Sequence, residues 1–222
     1  MFVRLLASAL LVAALAPVVS AQDAEPKSKK WEGEMQKFDK QDAEHPKPRG
    51  GVVFVGSSSI RMWDVKKSFP DLAAINHGFG GSEIIDSVYY FDRLVTPYKP
   101  RLIVFYAGDN DIAHNTTPAQ VHENFQKFVA LMHEKLPETK LVFVPIKPSL
   151  KRWELIETIR EANALIHATC DADDKLTYLE IEKPMLGDDG TPRPELFAKD
   201  GLHLNPEGYA LWNSLLRPHL KK

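Results

Sequence analysis

Three short apolar runs, Val52–Val55, Leu102–Tyr106 and Leu141–Ile146, constrain the fold of this chain more than any other feature. They are rich in β-branched and aromatic residues, and none alternates apolar with polar. A strand with one wet face alternates, whereas an unbroken run marks a strand buried on both faces, as in a parallel sheet. Weaker runs at Ala73–Ile75 and Leu176–Ile181 add two more strands. Between the runs the period changes. Val121, Phe125, Phe128, Met132 and Leu136 recur at three and four residues, as do Leu155, Ile159, Ala162 and Ile166, giving each segment one buried helical face. Asn205-Pro206 reads as an N-cap followed by proline at the first helical position, opening a last helix through Leu216. Strand alternating with helix predicts an α/β domain, a three-layer α/β/α arrangement around a mainly parallel five-stranded sheet. In such sheets the working crevice lies outside the carboxyl ends of the strands.

The N-terminal stretch reads differently. Arg4, the Leu5–Leu15 apolar run and Val19-Ser20-Ala21 have the layout of a cleavable secretory signal peptide, so residues 1–21 are expected to be removed and the protein to be periplasmic or secreted. The apolar run is too short to span a bilayer, which needs about 20 residues, and no stable membrane insertion is expected. Residues 22–49 form a charged extension in which Trp31, Met35 and Phe38 set one apolar stripe on a helix over 31–42, suited to docking on the main domain and ended by Pro46 and Pro48. The domain proper covers 50–222. With 28 basic against 30 acidic residues there is no basic footprint for nucleic acid. The lone Cys170 excludes an intramolecular disulfide framework and reads as a buried small hydrophobe on a helix.

The strand ends carry the chemistry. The first run leads into Gly56-Ser57-Ser58-Ser59-Ile60, where a serine stands either as a helix N-cap or beside the free N–H groups of a helix start. Ile60 replaces the second glycine that a G-x-S-x-G elbow needs. The second run ends in Asn76-His77-Gly78-Phe79-Gly80-Gly81-Ser82, either a tight turn or a backbone laid open to a ligand; it lacks the spacing of a dinucleotide site. The third ends in Gly108-Asp109-Asn110-Asp111, where Asn110 makes an Asx-turn or donates its amide to an oxyanion. An Asp three residues before a His can fold back onto the imidazole, and the chain offers Asp42/His45, Asp111/His114 and Asp200/His203. The first lies in the proline-flanked linker; spacing alone does not choose between the other two.

Taken in order, these blocks resemble the SGNH hydrolase superfamily, also called the GDSL esterase/lipase family. Its strand-G-D-S, N-x-x-x-x-G, G-x-N-D and D-x-x-H blocks are similar to Gly56-Ser57-Ser58, Asn76 to Gly81, Gly108 to Asp111, and Asp200 to His203. The resemblance spans residues 52–216 and implies a flavodoxin-like doubly wound sheet. It implies Ser58 as nucleophile, His203 as general base and Asp200 as its orienting partner. The N–H groups of Ser58 and Gly81 with the Asn110 amide would form the oxyanion hole, without metal or other cofactor. The implied activity is hydrolysis of a small-molecule or carbohydrate ester, with short acyl or acetyl groups favoured and lysophospholipase or thioesterase activity found in the same family. One departure is Ser57, which stands where the family has Asp. Two other classes compete. One is an inactive carbohydrate- or envelope-binding protein on this fold, with Trp63, Trp153 and Tyr106 lining a sugar site. The other is a metal-dependent phosphoesterase using Asp109, Asp111, His114, Asp200 and His203.

Overall fold

The computed structural model describes residues 25–220, so the segment read as a signal peptide lies outside the described residues. The ordered elements begin with a short helical turn and then α1 (Glu32–Glu44). The sheet and its crossovers follow: β1 (Val52–Gly56), α2 (Ser58–Arg61), β2 (Ala74–Gly78), α3 (Ile84–Tyr89), β3 (Leu102–Tyr106), α4 (Asp109–Ala113), α5 (Pro118–Lys135), β4 (Lys140–Phe143), α6 (Ile156–Asp171), β5 (Leu176–Tyr178) and α7 (Pro206–Leu216). All four strand pairings are parallel and the order is β2-β1-β3-β4-β5. The order reverses direction at β1, whose neighbours are β2 and β3, and a doubly wound sheet opens its crevice at such a switch point.

Because side chains alternate along a strand, the unbroken apolar runs feed two cores at once. Val53, Val55, Ile103, Phe105, Leu141 and Phe143 face one layer, with Ile84 of α3, Val121, Phe125 and Phe128 of α5, and Ile159 and Ile166 of α6. Val52, Phe54, Leu102, Val104, Tyr106 and Val142 face the other, with Ile60, Trp63, Trp212 and Leu216. Met35 of α1 is buried in the first layer, and Trp31 and Phe38 pack against it, so the apolar stripe of the extension is seated on the domain. Polar bonds secure the same helix: Arg93 pairs with Glu32 and Asp39, and Tyr98 donates to Asp42.

Some boundaries differ from those read in the sequence. β4 stops at Phe143, although the apolar run continues to Ile146. The Val144 N–H still reaches Phe105 O, but Pro145 has no N–H to continue the ladder. β2 runs on through Gly78, so Asn76 lies inside the strand instead of past its end. The Asn76 amide donates to Ile60 O and Trp63 O while its Oδ1 accepts from Gly78 N. That side chain ties the end of β2 to the turn carrying Ser58.

Candidate active site

Ser58 is the first residue of α2, one residue past the turn that leaves β1. Ser57 occupies the N-cap position in extended backbone and makes no side-chain cap bond; its N–H donates to Tyr106 O at 3.0 Å. Ser58 therefore has its hydroxyl free for another partner. That partner is His203, whose Nε2 lies 3.0 Å from Ser58 Oγ. On the far side of the ring, Nδ1 lies 2.6 Å from Asp200 Oδ2. The second carboxylate oxygen of Asp200 accepts the Leu202 and His203 N–H groups, each at 3.0 Å, which fixes the turn. With Nδ1–H committed to the carboxylate, Nε2 is left to accept the serine proton; this tautomer follows from the bonding pattern. The His203 side-chain bond, helped by the two N–H groups, holds Asp200 well below the usual carboxylate range. Its side chain is half exposed, so solvent screens much of that pull.

Facing Ser58 is the loop after β2. Gly81 has φ +84°, a left-handed conformation that favours glycine. The Asn110 amide, at the start of α4, donates to Ser82 O at 2.9 Å, and Arg152 Nη2 donates to Asn110 Oδ1 at 3.3 Å. A carboxamide carries two N–H groups, so the bond to Ser82 anchors the amide and leaves a second hydrogen for a ligand. Blocks distant in sequence thus meet at one end of the sheet: the loop after β2 is bonded to the start of α4, and Ser58 to His203.

Behind Asn110 lies a buried charged cluster that the sequence reading did not anticipate. Lys147, 1 % exposed, donates to Asp109 Oδ2 at 2.7 Å and to Tyr106 OH at 3.0 Å. Arg152 donates to the Asp109 carboxylate and to its carbonyl oxygen. Burial pushes Asp109 upward, but Lys147 and Arg152 overcome it and hold the carboxyl below its ordinary range. Lys147 shows the mirror effect: burial disfavours its charge, yet Asp109 keeps it raised. Burial, reinforced by Asp109, pushes the Tyr106 hydroxyl up to about 12. Lys147 lies four residues beyond the end of β4, and a cation just past a strand end was the available signal.

The remaining candidates separate from the site. Asp111 turns both carboxylate oxygens to the Ile84 N–H, and His114 Nδ1 lies 2.7 Å from Glu83, so this Asp/His pair is not a dyad. Asp42 accepts from Tyr98, while His45 is exposed. Asp109, Asp111, His114, Asp200 and His203 have separate partners and form no cluster able to hold a metal among the described residues. Trp63 and Tyr106 are core residues, each under 3 % exposed, so neither lines a sugar site; Trp153 is partly buried against the other core layer.

A five-stranded parallel α/β sheet whose switch point carries a Ser-His-Asp array defines an SGNH-type hydrolase. The sequence model of the GDSL-like Lipase/Acylhydrolase family matches residues 61–211, more than half of the chain, and the protein belongs to that family. It is an esterase of the SGNH/GDSL type. The match begins three residues after Ser58, so the serine is located by geometry. No curated protein sequence matches the chain. Among solved structures, a candidate acylhydrolase from Bacteroides fragilis is similar with TM-score 0.73 and 25% identity, covering 83% of this chain and 94% of its own. A GDSL-like lipase from Bacteroides thetaiotaomicron has TM-score 0.73 and 23% identity, covering 84% and 96%. An acetylxylan esterase from Geobacillus stearothermophilus shares the fold with TM-score 0.63 and 11% identity, covering 79% and 96%.

Proposed function

We propose that this protein is an exported serine esterase that removes short acyl groups from small-molecule or carbohydrate alcohols through an acyl-enzyme on Ser58. The observation that carries the reading is the 3.0 Å approach of His203 Nε2 to Ser58 Oγ, with Asp200 on the opposite nitrogen. A serine hydroxyl is inert at its own pKa and needs such a base. Ser58 Oγ attacks the ester carbonyl carbon while its proton passes to His203 Nε2. The oxygen that becomes negative is taken by the N–H groups of Ser58 and Gly81 and the second Asn110 N–H. Collapse expels the alcohol, which leaves with the proton held by His203. Water, deprotonated by the same nitrogen, then attacks the acyl carbon, and the Ser58 oxygen recovers its proton as the acid departs.

The acetylxylan esterase that shares the fold supports a small acyl group on a carbohydrate. The apolar, Arg4-led and Ala21-ended first segment supports export, with the mature chain starting at Gln22 and the catalytic domain covering 50–222. Hydrolysis of a p-nitrophenyl ester series, with EDTA present, tests the reading. The protein is expected to prefer acetate to longer acyl groups, and Ser58→Ala to lose at least about 10³-fold in kcat. Equal loss in Ser59→Ala with activity retained in Ser58→Ala would move the nucleophile by one residue. Amino-terminal sequencing of the exported protein checks the cleavage point.

A further inference from the structure

Two neighbouring glycines in the loop after β2 are small for different reasons, and the reason at Gly80 points to the substrate. Gly81 needs its left-handed backbone. Gly80 makes no such demand; a side chain there would meet Arg61 instead. A Cβ on Gly80 would stand 2.8 Å from Arg61 Cζ and Nε and 2.9 Å from Nη2. The Arg61 guanidinium therefore lies against the loop, beside the residue proposed to bind the oxyanion. Arg61 also ends α2, three residues after Ser58, so the two side chains leave one helical face with about 5–6 Å between their Cβ atoms.

This guanidinium is unpaired. Arg93, Arg152, Arg160 and Arg193 each pair with a carboxylate, whereas the Arg61 side chain makes no ion pair and no hydrogen bond among the described residues, its backbone N–H alone donating to Ser57 O. Asp64, three residues after Arg61, accepts the Lys67 N–H, and Glu83, three residues after Gly80, bonds His114. A second cation stands at the same loop. Trp31 caps Gly81, its ring 3.4 Å from where a Cβ would be, and Lys30 Nζ lies 5.0 Å from the Trp31 ring centroid. Two cations thus stand by this loop, while its carboxylates are bonded within the protein, Glu83 to His114 and Asp86 to Trp31, Ser28 and the Glu83 N–H.

We propose that Arg61 binds a carboxylate of the substrate, so that this site favours anionic esters over their neutral counterparts. The proposal rests on the esterase reading for its reacting carbonyl, but the anion site stands on the placement of Arg61 alone. A guanidinium presents a planar fork that matches a planar carboxylate with two charge-assisted hydrogen bonds. The uncharged methyl ester of the same compound offers it a much weaker acceptor.

Calorimetric binding to Ser58→Ala protein tests this without turnover. The ligands are 4-acetoxybenzoate and its methyl ester, with the charge on the alcohol side. A second pair, p-nitrophenyl hemisuccinate and its methyl ester, carries it on the acyl side. In at least one pair the charged member is expected to bind about tenfold or more tighter, and Arg61→Gln to abolish the difference. Gly80→Ala, which pushes the guanidinium aside but keeps its charge, is expected to lose part of it. Equal binding of charged and neutral members in both pairs overturns the proposal, as does a difference that survives Arg61→Gln. If the difference holds while the wild-type protein hydrolyses none of the four esters, the anion site stands and the esterase mechanism fails.

Discussion

Asp111 shows how one buried carboxyl can set both a loop and a pH response. It is fully buried and turns its oxygens to the Ile84 N–H at 3.2 and 3.3 Å, holding the start of α3 just beyond the Gly80-Gly81 loop. Burial, with the nearby charges of Glu83 and Asp86, pushes its pKa up to about 7 against the opposing pull of the Ile84 N–H. A carboxyl raised above its unfolded value favours the fold while it is protonated in the folded state. That contribution is complete below about pH 4 and is lost as pH rises towards 7. At 1.36 kcal/mol for each pH unit, the loss is on the order of 2–4 kcal/mol. Asp111→Asn keeps an acceptor for the Ile84 N–H and cannot ionise. Urea unfolding should therefore find the variant more stable than the wild type at pH 8 by about 1–3 kcal/mol, with no advantage at pH 4. Parallel stability profiles for the two proteins from pH 4 to 8 would show that Asp111 does not titrate there. Nothing in the G-x-N-D pattern tells this role from that of a catalytic acid; only the position of Ile84 does.

At the scale of elements, the N-terminal extension is both support and part of the site's frame. Its helix was legible because Trp31, Met35 and Phe38 mark one face, and α1 runs Glu32–Glu44 against the expected 31–42. What spacing cannot reveal is where that face lands. Met35 enters the core, while Trp31 donates its indole N–H to Asp86 at 2.9 Å, packs edge-on to Phe79 and covers Gly81. Asp86 also accepts from Ser28 Oγ and from the Glu83 N–H, so one carboxylate joins the extension to the loop. The two apolar residues should respond differently to truncation. Met35→Ala should cost about 2–4 kcal/mol of stability and leave kcat near wild type in the folded protein. Trp31→Ala removes the brace on Gly81 and should lower kcat about tenfold with little change in KM, at a temperature where both variants are folded. Equal kinetics in the two variants would reduce the extension to a buttress.

At the scale of the whole molecule, one sheet serves two cores, and its three inner strands were readable because burial on both faces removes alternation, while the half-buried edge strands β2 and β5 left weaker runs. The switch point was readable too, since turn chemistry follows β1, β2 and β3 in turn. The charged cluster of Asp109, Lys147 and Arg152 was not, because its members are brought together only by the packing of the loop after β4. The shared sheet also predicts how the protein comes apart. Cys170 of α6 lies in one core layer, 5 % exposed, and burial, followed by Asp171 and Asp173, pushes its thiol up to about 12. Trp63 and Trp212 lie in the opposite layer. If neither layer survives without the strands between them, the two should be exposed in a single transition. The native thiol should thus resist a disulfide reagent at pH 8, since less than about one thiol in a thousand is ionised and that one is enclosed. Trp31 and Trp153 pack against the Cys170 layer, so the reporter is a Trp31→Phe, Trp153→Phe protein whose fluorescence comes from Trp63 and Trp212. Along a urea series, the fraction of thiol labelled in a short pulse should rise at the same midpoint as the loss of its native fluorescence. Labelling of Cys170 at urea concentrations where the fluorescence is still native would mean that the α5–α6 layer opens alone, and that the sheet does not couple its two faces into one cooperative unit.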